Sequence, residues 1–169
     1  MPATLPVMGL VLGGRYVITH LKPGTTFANV YEVLELIAEG GMGAVYKVRN
    51  KELGSYLALK VMQSGLIRDQ RMIERFVREA KTTASIESDH VVKVTDAGTW
   101  QPPDDARQPA IPYYVMELLD GQTLSRTIQD GGPFSWSRAN QFFRELCHAI
   151  VAAHARQIVH RDLKPEYIA

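Results

Sequence analysis

Cysteine is nearly absent: Cys147 is the only one in 169 residues. A single thiol cannot close an internal disulfide, so the core must hold the fold, and a reducing, cytoplasmic setting is expected. The lone cysteine and five histidines form no cluster with zinc spacing. A surplus of one charge is also missing. With 19 basic and 18 acidic residues the formal net charge is +1, which offers no field to nucleic acid or acidic lipid. The apolar run Val7 to Leu12 is too short to span a membrane or to act as a secretory signal. The remaining composition, 46% hydrophobic and 22% charged, is that of a soluble globular protein, long enough for one domain or a fragment of a larger one.

What is present gathers between Ile37 and Val61. Tyr31, Val33, Glu35 and Ile37 alternate with Glu32, Leu34 and Leu36; beyond the glycines, Ala44, Tyr46 and Val48 alternate with Val45, Lys47 and Arg49. The pattern is strand, glycine turn, strand. In Ile37-Ala38-Glu39-Gly40-Gly41-Met42-Gly43-Ala44-Val45 the glycines let backbone N–H groups approach an anion that a Cβ would push away, and they permit the positive φ of a tight turn. A triphosphate suits such a tip. A P-loop or a dinucleotide fingerprint would continue into a helix, whereas Ala44 and Val45 open a strand. Taken alone, such a run is more often an ordinary hairpin turn. In Tyr56 to Met62, Lys60 lies within an apolar run on the face of small Ala58. A buried ammonium needs a partner or an anion; the alternative is a side chain snorkelling off an edge strand.

Residues 1–25 read as an extension, in which Tyr16 to Leu21 faintly echoes Tyr31 to Leu36. A helix is expected from about Arg68 to Ser85, with Ile73, Phe76, Val77, Ala80 and Ala84 as its apolar stripe. Glu79 borders the stripe. It can turn to Lys60 or form a surface pair with Arg75, and the helix alone favours Arg75. Val91 to Thr99 and Pro112 to Leu119 read as strands joined by the loop Gln101 to Pro109. A short helix near Leu124 to Gln129 is broken by Gly131-Gly132-Pro133. Ser135 caps a longer helix that turns Ala139, Phe142, Phe143, Leu146, Ala149, Ile150 and Ala153 inward. Five strands with one helix, followed by a helical part, predict an α+β fold in two lobes.

The last residues, His160-Arg161-Asp162-Leu163-Lys164-Pro165-Glu166-Tyr167, complete a series. From about Phe27 onward the chain resembles the amino-terminal half of a protein kinase, with glycine loop, strand lysine, helix glutamate and His-Arg-Asp loop in that family's order. Lys164 and Pro165 are similar to the serine/threonine branch, and the two loops together to bacterial kinases of eukaryotic type. The resemblance implies an extension at residues 1–26, an N-lobe with a five-stranded antiparallel sheet at 27–119, and the first helices of a C-lobe at 120–169. It further implies that Ala38, Glu39, Gly40, Gly41, Met42, Gly43 and Ala44 cover the phosphates of ATP, that Lys60 holds the α and β phosphates, and that Glu79 orients Lys60. Ile37, Val45 and Ala58 would pack on adenine, Met116 would be the gatekeeper, and the backbones of Glu117 and Leu119 would meet the base edge. Asp162 would accept a proton from a Ser or Thr hydroxyl of the protein substrate while Lys164 steadies the phosphoryl group. Without the resemblance, Asp162 and Lys164 would read as a solvated turn after a helix.

Three departures qualify the likeness. Ala38 replaces the first glycine, a small change in extended backbone. Tyr167 replaces the asparagine that binds a second Mg²⁺, and a phenol is a poor ligand for a hard cation. No Asp-Phe-Gly occurs in the 169 residues. The expectation is a kinase piece that is catalytically incompetent alone, with a noncatalytic nucleotide- or partner-binding lobe as the alternative and a decayed gene product as a third reading. A partner covering Phe142, Phe143 and Leu146 belongs to the second reading.

Overall fold

A computed structural model describes residues 21–102 and 109–168; most of the expected extension, the echo at Tyr16 and the middle of the proline-rich loop lie outside these residues. The strands are β1 (Thr26–Phe27), β2 (Tyr31–Gly40), β3 (Gly43–Asn50), β4 (Tyr56–Met62), β5 (Val94–Trp100) and β6 (Ile111–Glu117); the α-helices are α1 (Gln70–Ala84), α2 (Leu124–Gly131) and α3 (Trp136–Ala155). All six strands form one antiparallel sheet in the order β1-β2-β3-β4-β6-β5. The expected α+β architecture is present, with a sixth strand that the sequence pattern did not reveal: two residues of β1 are too few to show a period.

One face of the sheet is the core. Val33 opposes Val48, Tyr46 opposes Leu59, and Leu59 opposes Val115. All five, with Phe27, are almost fully buried. The sheet curls on this face until its edges meet. The Phe27 ring of β1 lies tilted 4.4 Å from that of Trp100 of β5 and edge-to-face 5.0 Å from that of Tyr113. Tyr31 of β2 donates its hydroxyl to Asp96 of β5 at 2.7 Å, and burial together with that carboxylate pushes the phenol above its usual range. Right-handed twist, increased by the register shifts at Val33/Glu35 and Leu36/Ala38, accounts for the curl. Past those shifts β2 leaves the core, so Glu35 and Ile37 are exposed where strict alternation placed them with Tyr31 and Val33.

Asp69 caps α1 by accepting the Arg71 N–H, and the helix lays Phe76 and Ala80 on the opposite sheet face. Burying the Phe76 ring contributes about 1.5–3 kcal/mol. Val77 and Ala84, expected in the stripe, are exposed, because the sheet covers a narrower arc of the helix than the apolar residues span. Ser135 caps α3 as expected, accepting the Arg138 N–H. Phe142 and Leu146 are half-buried, but Phe143 points out at 63% exposure, a correction to the expected inward row: one residue past Phe142, it lies 100° around the helix.

The glycine hairpin needs one glycine for a reason unrelated to phosphate. A Cβ on Gly43 would lie 2.1 Å from the Val61 carbonyl oxygen of β4, whereas at Gly40 and Gly41 it would meet nothing within 4 Å. None of the three has positive φ, so the expected positive-φ turn does not form. Gly43→Ala is therefore expected to destabilise the fold by about 1–3 kcal/mol, and Gly41→Ala to stay within about 0.5 kcal/mol. Urea unfolding midpoints of the two variants check this.

Candidate functional site

Strand register builds the site. Val45 opposes Lys60, Lys60 opposes Tyr114, and Ala58 opposes Met116. Residues directly opposite in an antiparallel ladder share a face, so these five side chains form one surface, and Ala38, opposite Val45, joins the glycine hairpin to it. Lys60 stands on β4, which is flanked by β3 and β6, so the edge-strand alternative is excluded.

Lys60 Nζ donates to Glu79 Oε1 at 2.5 Å, and Tyr114 Oη donates to the same oxygen at 2.7 Å. Glu79 thus turns to the sheet rather than to Arg75, the partner favoured on helix spacing, because α1 docks with that edge toward β4 and β6. Burial works to raise the Glu79 pKa. The hydrogen bonds from Lys60 and Tyr114, with the charges of Lys60 and Arg75, outweigh it and hold the carboxyl below the usual carboxylate range. The side chains of Lys60 and Glu79 keep 20% and 38% of their exposure, so water screens part of their attraction. The ammonium also lies 5.5 Å from the Tyr114 ring centre and 6.0 Å from that of Phe76, within cation–π range.

The hairpin approaches this surface with Glu39, Gly40 and Gly41 exposed, Met42 half-buried, and Gly43 and Ala44 buried. The Met42 carbonyl accepts the Gln63 N–H at 3.2 Å, which pins the tip to the end of β4. Ile37 is 49% exposed at the rim and Leu119 52% exposed beyond β6. Between them Ala58 is buried and Met116 half-buried, a small side chain beside a long one. Glu117 donates its N–H to the Lys93 carbonyl, and its carboxylate accepts the Lys93 N–H.

A second cluster lies after α3. Arg161 takes a left-handed conformation, φ 63°, and Asp162 follows with Lys164 Nζ 3.8 Å from its Oδ2. Both are exposed. Lys164 rests over the Tyr167 ring, 4.6 Å from its centre; the hydrogen bond with Tyr167, then the Asp162 charge, raises the Lys164 pKa. The 3-10 turn Pro165–Tyr167 and Ile168 dock on α2, where Leu124 N–H donates to the Ile168 carbonyl at 2.7 Å. The two clusters belong to parts joined by the Arg156–Glu87 ion pair, 3.1 Å, and by His90 against His148.

The donors in the second cluster do not fit a magnesium ion. A hard cation asks for carboxylate or carbonyl oxygens, whereas Tyr167 offers a phenol whose ring faces an ammonium. Among the described residues no group of three His, Cys, Asp or Glu is placed to share a metal. Tyr114 was missed in the sequence. Its signal was parity: in Pro112 to Leu119 it is two residues from Met116 and so shares that residue's face.

The depressed Glu79 pKa fixes a pH dependence. Its contribution to stability is complete above the unfolded carboxyl value of about 4.3 and is lost as pH falls through the lower folded value. The stability difference between the wild-type chain and Glu79→Gln is expected to be full above about pH 5 and to close below about pH 4, as read by urea unfolding across that range.

Comparison with known proteins agrees with this geometry. Residues 31–168 match the protein kinase domain family. A probable serine/threonine-protein kinase of Clostridium perfringens is 34% identical over 145 residues, covering 86% of this chain and 20% of the relative. Serine/threonine-protein kinase PknA of Mycobacterium tuberculosis is 37% identical over 144 residues, covering 85% and 33%. The chain thus spans between a fifth and a third of the length of these relatives. Among solved structures, the PknI kinase domain of M. tuberculosis superposes with a TM-score of 0.68 at 27% identity, covering 88% of this chain and 58% of that one. The chain belongs to the protein kinase domain family and corresponds to the amino-terminal part of that domain.

Proposed function

We propose that this chain is the ATP-binding part of a serine/threonine protein kinase, which moves the γ-phosphoryl group of ATP to Ser or Thr hydroxyls of a protein substrate. The observation that carries this reading is Lys60 held by Glu79 on a sheet face reached by the glycine hairpin. Phosphoryl transfer asks a protein mainly for positioning and for neutralising charge. Lys60 Nζ, kept in place by a carboxylate, meets phosphate oxygens; Ala58, Val45 and Met116 offer apolar surface to a base. Asp162 accepts the hydroxyl proton of the substrate, and the Lys164 ammonium beside it offsets charge on the moving phosphoryl group. Magnesium, when bound, would supply further charge neutralisation, but residues 160–168 do not offer its usual donors. The serine/threonine-kinase relatives and the Lys164-Pro165 pair support the hydroxyl class. A cytoplasmic setting goes with the single, exposed thiol of Cys147.

The 169-residue polypeptide by itself carries no Asp-Phe-Gly, and Tyr167 stands at the magnesium position. Its own phosphotransfer is therefore expected at background. A noncatalytic, partner-binding reading draws on the exposure of Phe143 and Val151 on α3. The purified chain is expected to show an ATP-dependent rise in melting temperature that Lys60→Met abolishes, with no transfer to a generic Ser/Thr substrate. Transfer that Lys60→Met removes would overturn the incompetence. A folded monomer with no ATP-dependent shift would overturn nucleotide binding and weigh against the partner reading as well.

A further inference from the structure

The Lys60–Glu79 pair has a third member. Tyr114 is 4% exposed, lies directly across the β4–β6 ladder from Lys60, and donates its hydroxyl to the carboxylate oxygen that Lys60 also uses. Its ring packs 5.2 Å from that of Phe76, three residues before Glu79 on α1. The carboxylate is therefore fastened to the sheet twice, once through a charge and once through a neutral donor.

We infer that Tyr114 is a positioning residue that keeps Glu79, and with it α1, docked on the sheet independently of where the Lys60 ammonium is drawn. This rests on the nucleotide-binding reading above. A phosphate group competes with Glu79 for Lys60, and a carboxylate held by one flexible ammonium would be free to swing to water. A phenol has two χ angles, and this one is clamped between β6 and Phe76, so its hydroxyl loses little freedom on bonding. Being neutral, it holds the carboxylate without adding a second cation to attract phosphate away from Lys60.

The test is a double-mutant cycle on the 169-residue chain, with affinity for a fluorescent ATP analogue as the readout. Tyr114→Phe keeps the ring against Phe76 and removes only the hydroxyl; it is expected to weaken binding about three- to tenfold. In a Glu79→Ala background the same change is expected to cost nothing further, because Tyr114 acts through Glu79. Affinity unchanged in Tyr114→Phe, or losses that multiply in the double variant, would overturn the inference. Amide hydrogen exchange of α1 gives an arm that needs no nucleotide. Tyr114→Phe is expected to speed exchange of the α1 amides when Glu79 is present and to leave it unchanged in a Glu79→Ala background, where the hydroxyl has no carboxylate to hold. Equal exchange in the wild-type chain and Tyr114→Phe would also count against Tyr114. Absence of analogue binding in the wild-type chain would defeat the nucleotide reading, and the exchange arm would still decide the anchoring role.

Discussion

Lys60 and Glu79 lie 19 residues apart, on a central strand and on a helix that packs against the sheet, and their ion pair fixes one to the other. An ammonium inside an apolar strand would be costly without a partner. A carboxylate turned toward a sheet would be costly as well. Each removes the other's cost, and the result is a cation held at a fixed point on an otherwise apolar surface. Phosphate chemistry needs that arrangement, because charge placed in advance requires no reorganisation when the anion arrives. The partial exposure of both side chains leaves the site open to a ligand while limiting what the pair contributes to stability.

The rest of the amino-terminal part serves to keep that point still. The sheet buries most of one face by curling until Phe27 meets Trp100 and Tyr31 meets Asp96. Its other face is thereby left to α1 and to the hairpin. Close packing also explains the hairpin in part: Gly43 is required because the Val61 carbonyl occupies the space of a Cβ. A glycine loop in this chain thus answers two demands, backbone packing at Gly43 and an open tip at Gly40 and Gly41.

The loop after α3 follows a different economy. Its residues are held by few partners, chiefly the docking of Ile168 and Glu166 on the start of α2. Within it, Lys164 is shared between Asp162 and the Tyr167 ring. A phenol at this place offers an aromatic face that suits an ammonium better than a hard metal cation.

The sequence by itself determined the elements with a clear period: β2 to β6, α1 and α3, with the Ser135 cap of α3; the Asp69 cap of α1 emerged only in the structure. It also singled out Lys60, Glu79, Asp162 and Lys164 as candidates for charge chemistry, because those motifs are local. Contacts across the chain were beyond it. Helix spacing alone assigned Glu79 to Arg75, and only the docking of α1 on β4 and β6 decided for Lys60. The two-residue β1 carries no period, and the exposure of Val77 and Phe143 depends on how wide a surface covers each helix. Tyr114 became part of the site only when the β4–β6 register set it against Lys60. Periodicity reports which face of an element is apolar; which neighbour fills that face, and which polar group is left to bond, is settled by packing between segments far apart in sequence.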